Sequence, residues 1–200
     1  MMKPSTKTPS HLQEGVEDFG IFKAIYMAGS PGSGKSTVRD QLFGGLGLKL
    51  VDADEVRNAY NKLGKHGDYD VYADIALKQR AAYMDQRLGI IMDTTAWWLP
   101  TMKETTHQLR ALGYDVAMVQ VFTPLHTALE RVNTRAEITG RSVPESEVVK
   151  RYMGLQDNTR EYIHMFGDAY WFVDNSGETP KVDLIKRELR EWLHLSLIHI

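Results

Sequence analysis

The sequence predicts an α/β fold, a five-stranded parallel sheet with helices on both faces, and three observations carry that expectation. Short apolar runs alternate with longer stretches of helical periodicity along most of the 200 residues, which is the pattern of strand–helix–strand units. The first apolar run, residues 21–28, leads through Gly29-Ser30-Pro31-Gly32-Ser33-Gly34-Lys35-Ser36 into a helical stretch over residues 36–43. A chain of this length with 42% hydrophobic residues can bury one core, and nothing in it suggests a second.

Each element has a local reason. After the first helix, Gly44-Gly45-Leu46-Gly47 breaks the chain and residues 48–51 form a short second strand. Asp54-Glu55-Val56-Arg57 then opens a second helix, with Asp54 as its N-cap. A third helix over residues 71–87 presents Ile75, Leu77, Ala81, Ala82, Met84 and Leu88 as its apolar face. Ile90-Ile91-Met92-Asp93 is a third buried strand ending in a carboxylate. Residues 101–112 are helical up to Gly113, and residues 115–122 form the fourth strand. Pro124 and Pro144 each open a helix, to about residues 137 and 163. Residues 169–173 are the fifth strand, and residues 181–193 close the chain as an amphipathic helix.

The domain therefore spans residues 21–194. Residues 1–20, polar and carrying Pro4 and Pro9, read as a flexible arm without the apolar core of a signal peptide. Residues 195–200 resemble the translation of a sequencing-adapter end and are set aside. No stretch reaches membrane-spanning length. The absence of cysteine excludes disulfides and thiolate chemistry, and a cytoplasmic protein is expected. A net charge of −2 supplies no global field for a polyanion.

The glycine-rich stretch matches the phosphate-binding pattern G-x-x-x-x-G-K-[ST] at every constrained position. Its glycines let backbone N–H groups turn toward phosphate oxygens, and the following helix adds its positive end. Residues 29–37, from Gly29 through Thr37, form the nucleotide site. Lys35 reaches the β- and γ-phosphates, and the Ser36 hydroxyl ligates Mg²⁺. Asp93, at the end of an apolar strand, is the second Mg²⁺ ligand. ATP (or GTP) and Mg²⁺ are thus the expected cofactors.

Phosphoryl transfer also needs a group that accepts the proton of the attacking hydroxyl, and Asp54 is placed for it. The alternative is that Asp54 only caps its helix, and both roles can coexist. Asp52 lies on the same side of an extended backbone and binds substrate hydroxyls or assists Mg²⁺. Arg131 and Arg135 share a helix face, with Arg141 just beyond Gly140. These guanidiniums suit a lid over the phosphates, against the alternative of a solvated face balanced by Glu130 and Glu137. Arg57 lies one turn beyond Asp54 and can meet an anionic part of the substrate. Trp97 can stack on a base or sugar, although both Trp97 and Trp98 being packing residues is the plainer reading.

These motifs, in this order, resemble the zeta-toxin-like and bacteriophage polynucleotide kinase-like P-loop kinases: the phosphate loop, Asp52-Ala53-Asp54-x-x-Arg57, Asp93-Thr94, and Arg131-x-x-x-Arg135 followed by Gly140-Arg141-Ser142-Val143-Pro144. The resemblance runs over residues 21–175. It implies a P-loop kinase fold with the third strand between the first and second and an arginine-bearing lid. It also implies a general base at Asp54, a substrate-binding Arg57 and catalytic arginines among Arg131, Arg135 and Arg141. The chain lacks the phosphatase or ligase domain that often accompanies polynucleotide kinases, and the sugar-nucleotide pocket of zeta toxins is not matched residue by residue.

The leading expectation is a kinase acting on a hydroxyl of a small molecule such as a nucleotide-sugar or nucleoside. The alternatives are a kinase for a nucleic-acid 5′-hydroxyl or modified base, and a nucleotide switch. An N-K-x-D motif, which switch GTPases use to read the base, is absent. A catalytically dead binding module conflicts with the intact Lys35, Ser36, Asp54 and Asp93.

Overall fold

A computed structural model describes residues 20–140, 142–177, 179–180 and 182–195. Most of the arm, Arg141, Lys181 and residues 196–200 lie outside the described residues. The strands are β1 (Lys23–Ala28), β2 (Lys49–Val51), β3 (Ile90–Thr94), β4 (Asp115–Phe122) and β5 (Tyr170–Asp174). They form one parallel sheet in the order β2-β3-β1-β4-β5. The third strand does lie between the first and second.

The helices are α1 (Lys35–Phe43), α2 (Ala53–Lys62), α3 (Tyr69–Asp85), α4 (Leu99–Ala111), α5 (Leu125–Thr139), α6 (Glu145–Phe166) and α7 (Asp183–Leu195). Strand periodicity divides the core between the two faces of the sheet. Along β1, Ala24, Tyr26 and Ala28 join a cluster with Val56, Tyr72, Leu109 and Leu155, from α2, α3, α4 and α6. Ile25 and Met27 face the other way, onto Val38 and Leu42 of α1 and Leu189 and Leu193 of α7. No helix of the described residues is long and apolar enough to cross a membrane.

One polar side chain inside this core is structural. The first apolar run begins its strand only at Lys23, because Phe22 has a left-handed φ of 56° and turns the chain. Lys23 is buried. Its Nζ donates to the Trp192 carbonyl at 2.8 Å and to Asp115 Oδ2 at 3.2 Å, and lies 3.9 Å over the Trp192 ring. Burial lowers its pKa from the ordinary lysine value. These bonds tie α7 to the N-terminal edge of β1 and β4.

Two local expectations need correction. The N-cap of α2 is Asp52: its backbone is extended, at φ −148° and ψ 119°, and its carboxylate accepts from Asp54 N at 2.8 Å. Asp54 therefore stands inside the first turn. In Asp52-Ala53-Asp54 either carboxylate could cap by type, and the backbone conformation of the residue decides. The buried residues of α3 are Tyr72 and Ala76, with Ile75, Tyr83 and Met84 packed beside them. Leu77, Ala81 and Ala82 are exposed, because the helix turns its tyrosine face to the sheet.

Candidate active site

The carboxyl ends of the strands meet around a cavity of about 530 Å³. Its floor is the phosphate loop and the start of α1. Gly34, at φ 82°, is the N-cap of α1, and Lys35 is that helix's first residue. Lys35 Nζ donates to the Gly29 carbonyl at 2.8 Å and lies 3.6 Å from Asp93 Oδ1. Ser30, Pro31, Gly32, Gly34, Ser36 and Thr37 all line the cavity. Gly29 and the buried Ser33 shape the loop from behind.

Strand register explains why the acidic residues gather here. Parallel pairing sets Met27 of β1 level with Asp93 of β3, and Gly29 N donates to the Thr94 carbonyl at 3.2 Å. Pairing of Val51 with Met92 brings Asp52, the next residue, level with Asp93. The two carboxylates thus stand side by side at the sheet edge. Burial first, then the charge of Asp93, pushes the Asp52 pKa up to about 6. Burial likewise raises that of Asp93, although Lys35 and Arg39 pull it back.

That shift has a signed consequence. The folded pKa of Asp52 lies above its unfolded value, so its stabilising contribution is complete below about pH 4 and lost as pH rises through about 6. Asp52→Asn keeps a good N-cap and removes the buried charge. We expect it to raise Tm by about 2–4 °C at pH 7.5 without Mg²⁺ or nucleotide, which corresponds to about 1 kcal/mol. The gain should shrink at pH 5, which lies between the unfolded and folded pKa values, as melting curves at the two pH values would reveal. An equal gain at both would contradict the repulsion described here.

Asp54 lines the cavity from the first turn of α2, and its Oδ1 lies 3.3 Å from Arg57 Nη2. Arg57 itself does not line the cavity; it flanks Asp54. Arg131 and Arg135 enter from α5. Arg131 Nη2 lies 3.4 Å from the Asn175 carbonyl and Nη1 3.4 Å from Thr123 Oγ1. Trp97 falls outside the lining. Its carbonyl accepts from Asn158 Nδ2 at 2.9 Å, its ring lies 4.6 Å below Lys150 Nζ, and Gly154 of α6 sits against it. It packs on α6.

Several residues of the site escaped the sequence reading. Arg151 of α6 lines the same cavity as Arg131 and Arg135, and Glu55, Asn58, Tyr69 and Val143 line it too. With Glu147 four residues before it, at 3.4 Å, Arg151 reads in sequence as half of a solvated helix pair. Thr123 and Asn175, at the ends of β4 and β5, brace the loop. Asn175 Nδ2 donates to the Ser33 carbonyl at 2.8 Å, and Thr123 Oγ1 lies 3.1 Å from the same oxygen. Polar residues directly after two neighbouring strands of a parallel sheet were the available signal.

The arrangement fits a nucleoside triphosphate. A Cβ on Gly32 or Gly34 would come within 2.2 Å of the Ala128 carbonyl oxygen or 2.3 Å of Asn175 Nδ2, so the loop needs glycine to keep its backbone turned to the cavity. It also fits Mg²⁺ in the manner of phosphate-transfer sites. Ser36 and Asp93 offer hard oxygen donors beside the loop, and substrate phosphates and water complete the shell of such an ion. Among the described residues no group of three or more carboxylate or imidazole side chains could hold a metal alone.

The model of a family described as AAA domain matches residues 25–156. No curated protein matches the chain significantly. Solved structures do: 172 chains match. A chain of the Pnkp1/Rnl/Hen1 RNA repair complex superposes with a TM-score of 0.58 at 24% identity, covering 71% of this chain and 46% of its own. A gluconokinase from Sinorhizobium meliloti gives 0.50 at 20% identity, covering 89% and 95%. A chain of the PezAT toxin–antitoxin system of Streptococcus pneumoniae gives 0.54 at 17%, covering 98% and 100%. At these identities the likeness is one of fold. This chain spans less than half of the RNA-repair chain it matches.

Proposed function

Because the chain belongs to the AAA domain family and is a P-loop kinase by fold, we propose that it transfers the γ-phosphate of ATP to a substrate hydroxyl, with Asp54 as general base. One observation carries this reading: Lys35, Asp93, Asp54 and the arginines Arg131, Arg135 and Arg151 open on a single cavity beside the phosphate loop.

In this mechanism the loop amides and Lys35 hold the β- and γ-phosphates. Asp54 takes the proton of the acceptor hydroxyl as its oxygen bonds to the γ-phosphorus. The bond from that phosphorus to the β–γ bridging oxygen breaks, and ADP leaves with the electron pair. Arg131, Arg135 and Arg151 offset the charge that spreads over the transferring oxygens, and the α5–α6 hairpin acts as the arginine-bearing lid. Mg²⁺, held by Ser36 and Asp93, would neutralise charge on the β- and γ-oxygens.

The acceptor side is small, with acidic and neutral polar residues at its border. Asp54, Glu55, Asn58 and Tyr69 border a cavity of about 530 Å³ in total. Carboxylate and carboxamide groups suit hydroxyl recognition and disfavour a polyanion. A nucleoside, nucleotide-sugar or similar small molecule is therefore the acceptor class proposed. A screen with γ-labelled ATP against nucleosides, nucleotide-sugars and 5′-hydroxyl oligonucleotides tests this. Label is expected in a small acceptor; label on oligonucleotides alone would reassign the acceptor, and hydrolysis with no labelled acceptor would indicate a nucleotide-driven switch.

A further inference from the structure

Arg39 is the charged residue of α1 that the phosphate motif leaves unexplained. It lies one turn after Lys35 and points inward, with a side chain only 11% exposed. A buried guanidinium needs anionic partners, and Arg39 has two within 4 Å. Its Nε donates to Asp40 Oδ1 at 3.0 Å, and its Nη1 lies 3.8 Å from Asp52 Oδ2. Nη1 is itself buried and makes no hydrogen bond among the described residues, so Asp52 is the acceptor it can close on.

The other oxygen of Asp52 is already engaged. Oδ1 accepts the Asp54 N–H at 2.8 Å, the bond that caps α2. Asp52 also stands level with Asp93 on the neighbouring strand, where like charges push the two carboxylates apart. A cation set against Asp52 opposes that repulsion and holds the cap in place. Resting on Asp54 as the base, we propose that Arg39 is a positioning residue: it steadies Asp52, and through the Asp52 cap it holds the first turn of α2 so that Asp54 faces the transferring phosphate. The planar fork of arginine reaches Asp40 and Asp52 from one side chain, which lysine cannot do with one nitrogen.

The test is a double-mutant cycle of Arg39→Gln and Asp52→Ala, read by hydrolysis of γ-labelled ATP in MgCl₂ with water as acceptor, by ATP titration and by hydrogen exchange. Arg39→Gln is expected to slow turnover about tenfold, in keeping with a misplaced catalytic group, while the ATP Kd stays within about twofold. Exchange should quicken over residues 53–58 and stay unchanged in α1. Each substitution disables the same relay, so the double variant should be about tenfold slow rather than about a hundredfold. Multiplying effects, a Kd that rises as far as the rate falls, or unchanged exchange over residues 53–58 would each overturn the proposal. If Arg39→Gln does not fold, Arg39→Lys, which keeps the charge without the two-pronged reach, carries the same comparison. A wild-type protein that binds ATP but passes label neither to water nor to any acceptor of the screen would refute the kinase reading alone, and exchange would then decide the role of Arg39.

Discussion

Asp54→Asn is expected to bind ATP as tightly as the unchanged protein while transferring its γ-phosphate at least about a hundredfold more slowly, the usual scale for a lost general base. The substitution is close to isosteric, and the cap of α2 is made by Asp52 rather than Asp54, so the helix start should survive it. What disappears is the capacity to take the acceptor proton. The side chain stands in the first turn of α2 beside Glu55, and it flanks Arg57 at 3.3 Å. Calorimetric titration with ATP and transfer from γ-labelled ATP separate the two effects. Normal turnover would remove Asp54 from the mechanism, and a Kd that rises with the loss of rate would make it a nucleotide-binding residue instead.

Gly32→Ala should weaken ATP binding by at least about a hundredfold, or about 2.7 kcal/mol. The left-handed conformation at φ 81° costs an alanine about 1–2 kcal/mol before any contact is considered. The added methyl would then meet the Ala128 carbonyl oxygen at 2.2 Å and its carbon at 2.9 Å. Ala128 is fully buried in α5, so relief requires moving the loop or the helix that carries Arg131 and Arg135. Gly45→Ala is the internal control. It has nearly the same φ, 82°, with nothing within 4 Å of the new methyl, and it should leave ATP affinity unchanged. Titration with a fluorescent ATP analogue, alongside circular dichroism, reads both. Binding by Gly32→Ala within about threefold of the parent, well under 1.4 kcal/mol, would show that the loop tolerates the shift.

The elements and the donor loop were legible in the chain because their signals are local. Residues 115–122 were delimited as a strand from a mostly apolar run, interrupted by Gln120, and β4 has those bounds. The phosphate loop could be read from eight consecutive residues, since glycine placement dictates where that backbone can turn. The parallel sheet followed from alternation of elements. The acceptor side was read less well. Arg57 was offered as a substrate contact, and Trp97 as one against the plainer reading of packing; neither lines the cavity, whereas Arg151, which was overlooked, does. For Arg151 the rotation of α6 about its own axis decides the outcome, and it is set by Val148, Leu155 and Tyr162 packing into the core.

By itself, then, the sequence determined an α/β chain with a phosphate-loop motif and acidic residues at the same sheet edge, because strand periodicity and turn chemistry act over a few neighbouring positions. The tertiary structure alone decided which carboxylate caps α2, that Asn175 braces a loop 142 residues before it, and that Arg39 lies against Asp52 beneath the site. Those outcomes depend on strand register and helix rotation, which arise from packing between distant segments and leave no mark on any short stretch of the chain.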